Sequence, residues 1–285
     1  MNRQKTGYLF LIATFFIWGS LYVVSKYALA VMPPVAVLLG RYGLSVVILF
    51  FIVRARGFQP IQRQDWKYFI IIGFVGYFFS IACQLTGTKL LDASLASLIN
   101  SLNPVAIPIM AAVFLKERIT LRKAAGIAVS IAGIYIILGK GEGGMNLMGI
   151  AASILSVLCW SASSVTVRKI AGKYDPIQIS FVGMLFALIP NIPAAALELA
   201  AAPCTLTASA VLALIYMAAV CTALAHTLWN KSLQILSAGT CSMLYPLQPL
   251  TSAVLGVLVL HEGITASFLA GATVICAGVL ISVRE

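Results

Sequence analysis

The sequence predicts an all-α integral membrane protein whose ten transmembrane helices form two inverted five-helix repeats. Three observations predict it. Hydrophobic residues make up 61% of the chain and charged residues 9%, with a mean hydropathy of +1.02; a soluble domain carries about 25% charge. The apolar residues fall into ten runs near the ~20 residues that cross a bilayer as helix. The chain also repeats itself. Phe114-Leu-Lys-Glu-Arg-Ile-Thr120 returns as Val259-Leu-His-Glu-Gly-Ile-Thr265, and Ala93, Ser97, Leu102, Pro104, Gly126 and Gly133 return as Ala238, Ser242, Leu247, Pro249, Gly271 and Gly278. Nearer the start, Gly7, Trp18 and Pro34 return as Gly149, Trp160 and Pro176. A unit with five spans leaves the membrane on the face opposite to its entry, so its copy is threaded upside down. That arrangement suits a machine that opens to each side in turn. Helix is dictated in every span because lipid offers the backbone no hydrogen-bond partner. Segment length and the lack of apolar/polar alternation exclude a barrel.

The first span, residues 7–29, carries Trp18. It is longer than a signal-peptide core and has no small-residue cleavage site, so it is expected to stay in place. The second, 34–53, follows the Pro33-Pro34 turn and carries Arg41. The third, 68–88, carries Tyr77 and Gln84. The fourth, 93–115, is interrupted by Pro104 and Pro108, and the ninth, 237–260, by Pro246 and Pro249. An interior proline strands the carbonyl four residues earlier, which is that of Asn100 for Pro104 and of Tyr245 for Pro249. These two residues are repeat equivalents, and matched interruptions point to a binding site. The fifth and tenth spans, 122–139 and 266–283, carry stripes of Gly and Ala. Small residues let helix backbones approach closely, so these spans read as scaffold, packed on each other or on a second protomer. The glycine-rich stretch Gly139-Lys-Gly-Glu-Gly-Gly144 divides the chain into expected repeats 1–143 and 144–285. The sixth span, 149–167, holds Trp160 and Ser164; the seventh is 176–197; the eighth, 208–230, holds His226.

The net charge of +11 invites a nucleic-acid reading, but its distribution opposes one. With the amino terminus inside the cell, 15 of the 19 basic residues fall on the cytoplasmic side, at Arg3, Lys5, Arg54, Arg56, Arg63, Lys67, Lys116, Arg118, Arg122, Lys123, Arg168, Lys169, Lys173, Lys231 and Arg284. This bias orients membrane proteins. It predicts a membrane protein with both termini cytoplasmic, whose surroundings are lipid and not nucleic acid. The six cysteines form no Cys-x-x-Cys pair and read as small packing residues. No metal-ligand spacing, phosphate-binding loop or nucleophile motif occurs, so neither a metal, another cofactor nor an enzymatic activity is expected.

Arg41 lies roughly 12 Å deep at ~1.5 Å per residue. A central Arg costs at least about 2.5–3.5 kcal/mol on insertion scales, so it needs a partner. The acids lie in loops, tails or span ends. The partner is therefore a backbone carbonyl, a polar side chain or an anionic group on a cargo, unless the side chain ties helix ends together or snorkels. His226 is either a proton relay or a neutral hydrogen-bonded histidine. Trp18, Tyr77, Gln84, Asn100, Asn103, Trp160, Ser164, Tyr245 and Gln248 complete a candidate lining of amides and aromatics suited to a small amphipathic solute.

Trp18-Gly-Ser, Arg41-Tyr42, Asn103-Pro104 and Glu117-Arg-Ile-Thr120, with Trp160-Ser-Ala, Gln248-Pro249 and Glu262-Gly-Ile-Thr265 in the second copy, resemble the EamA family of the drug/metabolite transporter superfamily. The resemblance implies a ten-helix carrier in the bacterial plasma membrane; the small-residue stripes leave a monomer and a homodimer both open. It implies export of a small metabolite, an amino acid or a related compound, with multidrug export or solute uptake as alternatives. It points to Tyr77, Asn100, Trp160, Tyr245 and Gln248 as cavity residues. Two departures stand out: Gly183 occupies the repeat position of Arg41, and His226 stands where an uncharged or aromatic residue is expected. A membrane-embedded transferase would need a nucleophile with its base, which only His226 partly supplies.

Overall fold

A computed structural model of the chain describes residues 3–117, 120–138, 146–202, 204–263 and 265–283. They form ten rods: α1 (Arg3–Leu29), α2 (Pro34–Arg56), α3 (Arg63–Leu90), α4 (Ala93–Leu115), α5 (Leu121–Leu138), α6 (Leu147–Ile170), α7 (Pro176–Ala201), α8 (Ala208–Ile235), α9 (Ala238–Leu260) and α10 (Ala266–Val283). Eight are long and apolar enough to span a bilayer. The remaining two, α5 and α10, have 18 residues each, roughly 27 Å at ~1.5 Å per residue. The expected 139–144 junction, the basic residues Arg118, Lys140 and Arg284, and Ile119 and Ile264 of the repeated motif lie outside the described residues.

The halves interlock about a pseudo-twofold relation. α1 packs on α8 and α9, and its equivalent α6 packs on α3 and α4. α2 packs on α8 while α7 packs on α3, and the pairs α2–α7 and α5–α10 relate equivalent helices. Glu117, at the end of α4, accepts the Ala238 and Gly239 N–H groups at the start of α9, both at 3.4 Å. Glu262, just past the end of α9, accepts from Ala93 N–H at 2.8 Å and Ser94 N–H at 3.2 Å at the start of α4, and from Ser94 Oγ at 2.7 Å. The end of each helix thus meets the start of the other, so α4 and α9 run antiparallel, as inversion requires. Both helices close on a left-handed residue, Lys116 at φ 57° and His261 at φ 55°.

The membrane sets the inside-out character of the packing. Large apolar side chains such as Phe51, Val113, Phe114, Leu212 and Leu258 are exposed, while some thirty polar side chains, from Thr14 to Ser252, are buried. Lipid covers such a surface, and buried polar groups in a span must find protein partners. The small stripes of α5 and α10 face each other. A Cβ on Gly133 would stand 2.7 Å from the Gly271 carbonyl oxygen, and one on Gly278 equally close to that of Gly126. Of the two packings expected, the one of α5 on α10 is seen within the chain.

Each half also contains a π-helical segment, Ile72–Ser80 in α3 and Met217–Leu224 in α8, at repeat-equivalent positions. The wider turn frees carbonyls and aims side chains off the usual register. Neither segment is marked by glycine or proline in a way the sequence distinguishes from ordinary helix.

Candidate functional site

The prolines break α4 and α9 as expected. Helix Ala93–Asn100 gives way at Ser101-Leu102, and helix Ala238–Ser242 at residues 243–246. The stranded carbonyls are served in different ways. Asn103 Nδ2 donates to Asn100 O at 2.7 Å, whereas the Gln248 backbone N–H donates to Tyr245 O at 2.9 Å. The local chemistry therefore turns Asn100 and Tyr245 into corners facing the interface between the halves.

A cavity of about 20 Å³ lies there, room for about one water molecule. Its walls come from seven helices: Trp18 and Leu21 of α1, Arg41 of α2, Ser80, Ile81 and Gln84 of α3, Asn100 of α4, Ser156 and Trp160 of α6, His226 of α8, and Tyr245 and Gln248 of α9. Eight sequence-predicted residues are on this surface: Trp18, Arg41, Gln84, Asn100, Trp160, His226, Tyr245 and Gln248. Three stand behind it. Tyr77 packs its ring on His226 at 5.1 Å and accepts a hydrogen bond from Asn230 Nδ2 at 3.2 Å. Asn103 is occupied with Asn100 and with Ser161, whose Oγ donates to Asn103 Oδ1 at 3.2 Å. Ser164 Oγ donates to the Trp160 carbonyl within its own helix, at 2.9 Å. Leu21, Ile81, Ser80 and Ser156 were missed by sequence reasoning. A leucine, an isoleucine and two serines in apolar runs carry no signal of their own, though Ser80 precedes Gln84 by four residues, one helical turn.

The aromatic wall is held by edge contacts and indole bonds. Trp18 and Trp160, repeat equivalents, meet edge to face at 5.4 Å, and His226 packs against each at 5.5 Å. Trp160 Nε1 donates to the Tyr245 hydroxyl at 2.5 Å, while Trp18 Nε1 donates to the Cys221 carbonyl at 3.1 Å. The latter carbonyl belongs to the π segment of α8, as does that of Ala218, which accepts from Ser45 Oγ at 2.9 Å.

Arg41 is fully buried. Of the partners the sequence left open, the structure supplies a polar side chain: Arg41 Nε donates to Thr222 Oγ1, itself oriented by donating to Met217 O at 2.7 Å. Nη1 and Nη2 have no partner. The described acids are all committed away from the cavity or sit at rod ends. Asp65 accepts from Lys173 and Tyr174; Asp175 caps α7; Glu198 accepts from the Val35 and Ala36 N–H groups at the start of α2. Unpartnered too are Asn100 Nδ2, Gln84 Oε1, Gln248 Oε1 and both ring nitrogens of His226. The cavity thus combines free donors, free acceptors and flat apolar faces, and no paired nucleophile. Among the described residues no three His, Cys, Asp or Glu side chains gather as metal ligands.

A ten-helix, inverted-repeat bundle with a polar pocket between its halves is the architecture of membrane-embedded transport proteins. The profile of the EamA-like transporter family matches residues 5–139 and again 147–284, and the chain belongs to that family. A protein of Archaeoglobus fulgidus described as an uncharacterized transporter is 24% identical, over 94% of this chain and 95% of its own length. A probable amino-acid metabolite efflux pump of Salmonella typhimurium is 27% identical, over 98% of this chain and 95% of its own. Its counterpart in Escherichia coli is 26% identical over the same shares. A crystal structure of another protein, 20% identical, superposes with a TM-score of 0.76 over 98% of this chain and 96% of that one, which establishes the fold.

Proposed function

We propose that this protein is an alternating-access exporter of a small metabolite, an amino acid or a related compound, in the plasma membrane with both termini in the cytoplasm. Residues 1–143 and 144–285 are the two rocking units, with α5 and α10 as scaffold. Substrate contact is assigned to Trp18, Arg41, Gln84, Asn100, Trp160, His226, Tyr245 and Gln248, with Tyr77, Asn103 and Ser164 supporting them from behind.

One observation carries the reading: a polar-and-aromatic cavity built by both halves at the matched breaks of α4 and α9. Its volume of about 20 Å³ is far below the roughly 300 Å³ of an ordinary ligand pocket. A solute of several heavy atoms therefore enters only if the halves move apart on one side, which is what alternating access does. The cross-repeat caps at Glu117 and Glu262 give that motion two ends to release. Relatives described as amino-acid metabolite efflux pumps favour the cargo class.

The test is counterflow. Proteoliposomes preloaded with one unlabelled amino acid at a time are exposed to the same compound in trace labelled form. Transient, saturable accumulation is expected for a subset of amino acids. A flat response across the twenty common amino acids and their simple derivatives would overturn the proposal.

A further inference from the structure

We infer that the cavity selects a cargo bearing a carboxylate and, beside it, a hydrogen-donating amine or hydroxyl: Arg41 and Asn100 receive the first, and Gln84 and Gln248 the second. This rests on the transport reading of the same site and adds the recognition chemistry to it.

The argument begins with charge. Arg41 is fully buried within α2, and among the described residues no carboxylate pairs with it. Its guanidinium carbon stands 5.8 Å from the centroid of the Tyr42 ring. A guanidinium stays charged in proteins, and an uncompensated charge in a membrane core is costly. The cost falls when an anion arrives, so the cavity attracts one. Geometry then narrows the anion. Nε is pinned to Thr222, which leaves the two Nη groups as the free fork. Two parallel N–H donors fit a planar carboxylate. Asn100 Nδ2, also buried and unpartnered, adds a further donor on the same cavity.

The remaining unpartnered groups have the opposite sense. Gln84 Nε2 is used on the Tyr22 hydroxyl at 2.8 Å, which leaves Oε1 free as an acceptor; Gln248 Oε1 is likewise free. His226 in its neutral form has one acceptor and one donor nitrogen. Two amide oxygens without donors ask for N–H or O–H groups on the cargo. Trp18, Trp160 and Tyr245 give an ammonium aromatic faces as well. The same faces, with Leu21 and Ile81, receive an apolar remainder. No acidic side chain lines the cavity, so an ammonium alone, without a carboxylate to neutralise Arg41, is repelled.

The experiment is ligand binding to the purified full-length protein, read by thermal unfolding and titration calorimetry. The probes are L-threonine, L-leucine and L-phenylalanine, each with its carboxamide and its decarboxylated amine. The acids are expected to bind and raise the melting temperature, and the amides and amines to bind about 10- to 100-fold more weakly, the worth of a charge-assisted hydrogen bond. Arg41→Gln should erase the preference for acid over amide, while Arg41→Lys should keep part of it, having the charge without the fork. The inference is overturned if an amide or amine binds as tightly as its acid, or if none of the three acids binds. The comparison on the unmodified protein decides the matter even where a variant does not fold. An acid that binds but shows no counterflow would sink the transport reading and leave the carboxylate assignment standing.

Discussion

At the scale of single residues, the two halves of the site are not copies. Arg41 and Gly183 are repeat equivalents, as are Thr222 and Tyr77. In one pair, which spans the halves, a long side chain on α2 meets a short one on α8. In the other, the backbone of Gly183 on α7 lies so close to the Tyr77 ring of α3 that a Cβ would stand 2.8 Å from it. Each pair fills comparable space with the bulk on opposite members. The exchange explains why a duplicated Arg is absent: the Tyr77 ring occupies its place. It also makes Thr222 the positioning residue for Arg41. Thr222→Val removes the acceptor of the buried Nε at nearly constant volume and is expected to cost about 1–3 kcal/mol, whereas Thr222→Ser should cost well under half of that. Thermal unfolding of the two variants checks this, and equal losses would assign the effect to packing. Thr222 itself was not legible beforehand, since one threonine in an apolar run resembles any other.

At the scale of elements, acids serve as helix caps supplied from the other half. Asp175, Thr207 and Ser237 cap their own helices, but α2 and α4 lack a local side-chain cap. Glu198 and Glu262 supply theirs, and a carboxylate suits the positive end of a helix. The Glu262 contacts, at 2.7–3.2 Å, are shorter than those of Glu117 at 3.4 Å. The α4 end should therefore be the harder one to open. Glu262→Ala is expected to lose about 1–2 kcal/mol of stability and Glu117→Ala less. Glu262→Ala should also speed modification of a cysteine placed at Ser94, measured with a membrane-impermeant maleimide. Equal melting temperatures for the two variants would contradict the asymmetry. The helix breaks at Asn100 and Tyr245 were readable from Pro104 and Pro249 alone, because proline acts on its own helix. The cross-repeat caps were not, because each depends on a neighbour in the other half, and nothing in the sequence marks the π segments.

At the scale of the whole molecule, polar groups concentrate inside and apolar groups outside, and the halves are joined through α5 and α10. Their contact depends on bare backbone. Gly133→Val or Gly278→Val would force atoms into carbonyls 2.7 Å away. Each is expected to destabilise the protein by about 1–3 kcal/mol, while Gly263→Ala, with open space around it, should be nearly neutral. Thermal unfolding in detergent measures this, and tolerance of both valines would show that α5 and α10 separate freely. With both termini cytoplasmic, as proposed, loops 57–62 and 171–175 face the cytoplasm. A cysteine at Gln62 should then be labelled by an impermeant maleimide only in inside-out vesicles, and one at Thr207 only in intact cells.

Composition, hydrophobic run length and internal repetition were enough to determine ten helices, their inversion and the places where two of them break. Each is a property of the chain against its solvent or of proline against its own backbone. Which of many buried polar groups share one cavity, and which of them are left without a partner, was decided only by tertiary structure. The reason is that a partner such as Thr222 for Arg41, or the Cys221 carbonyl for Trp18, lies in the other repeat, and satisfaction of a hydrogen bond is a matter of distances that no single segment contains.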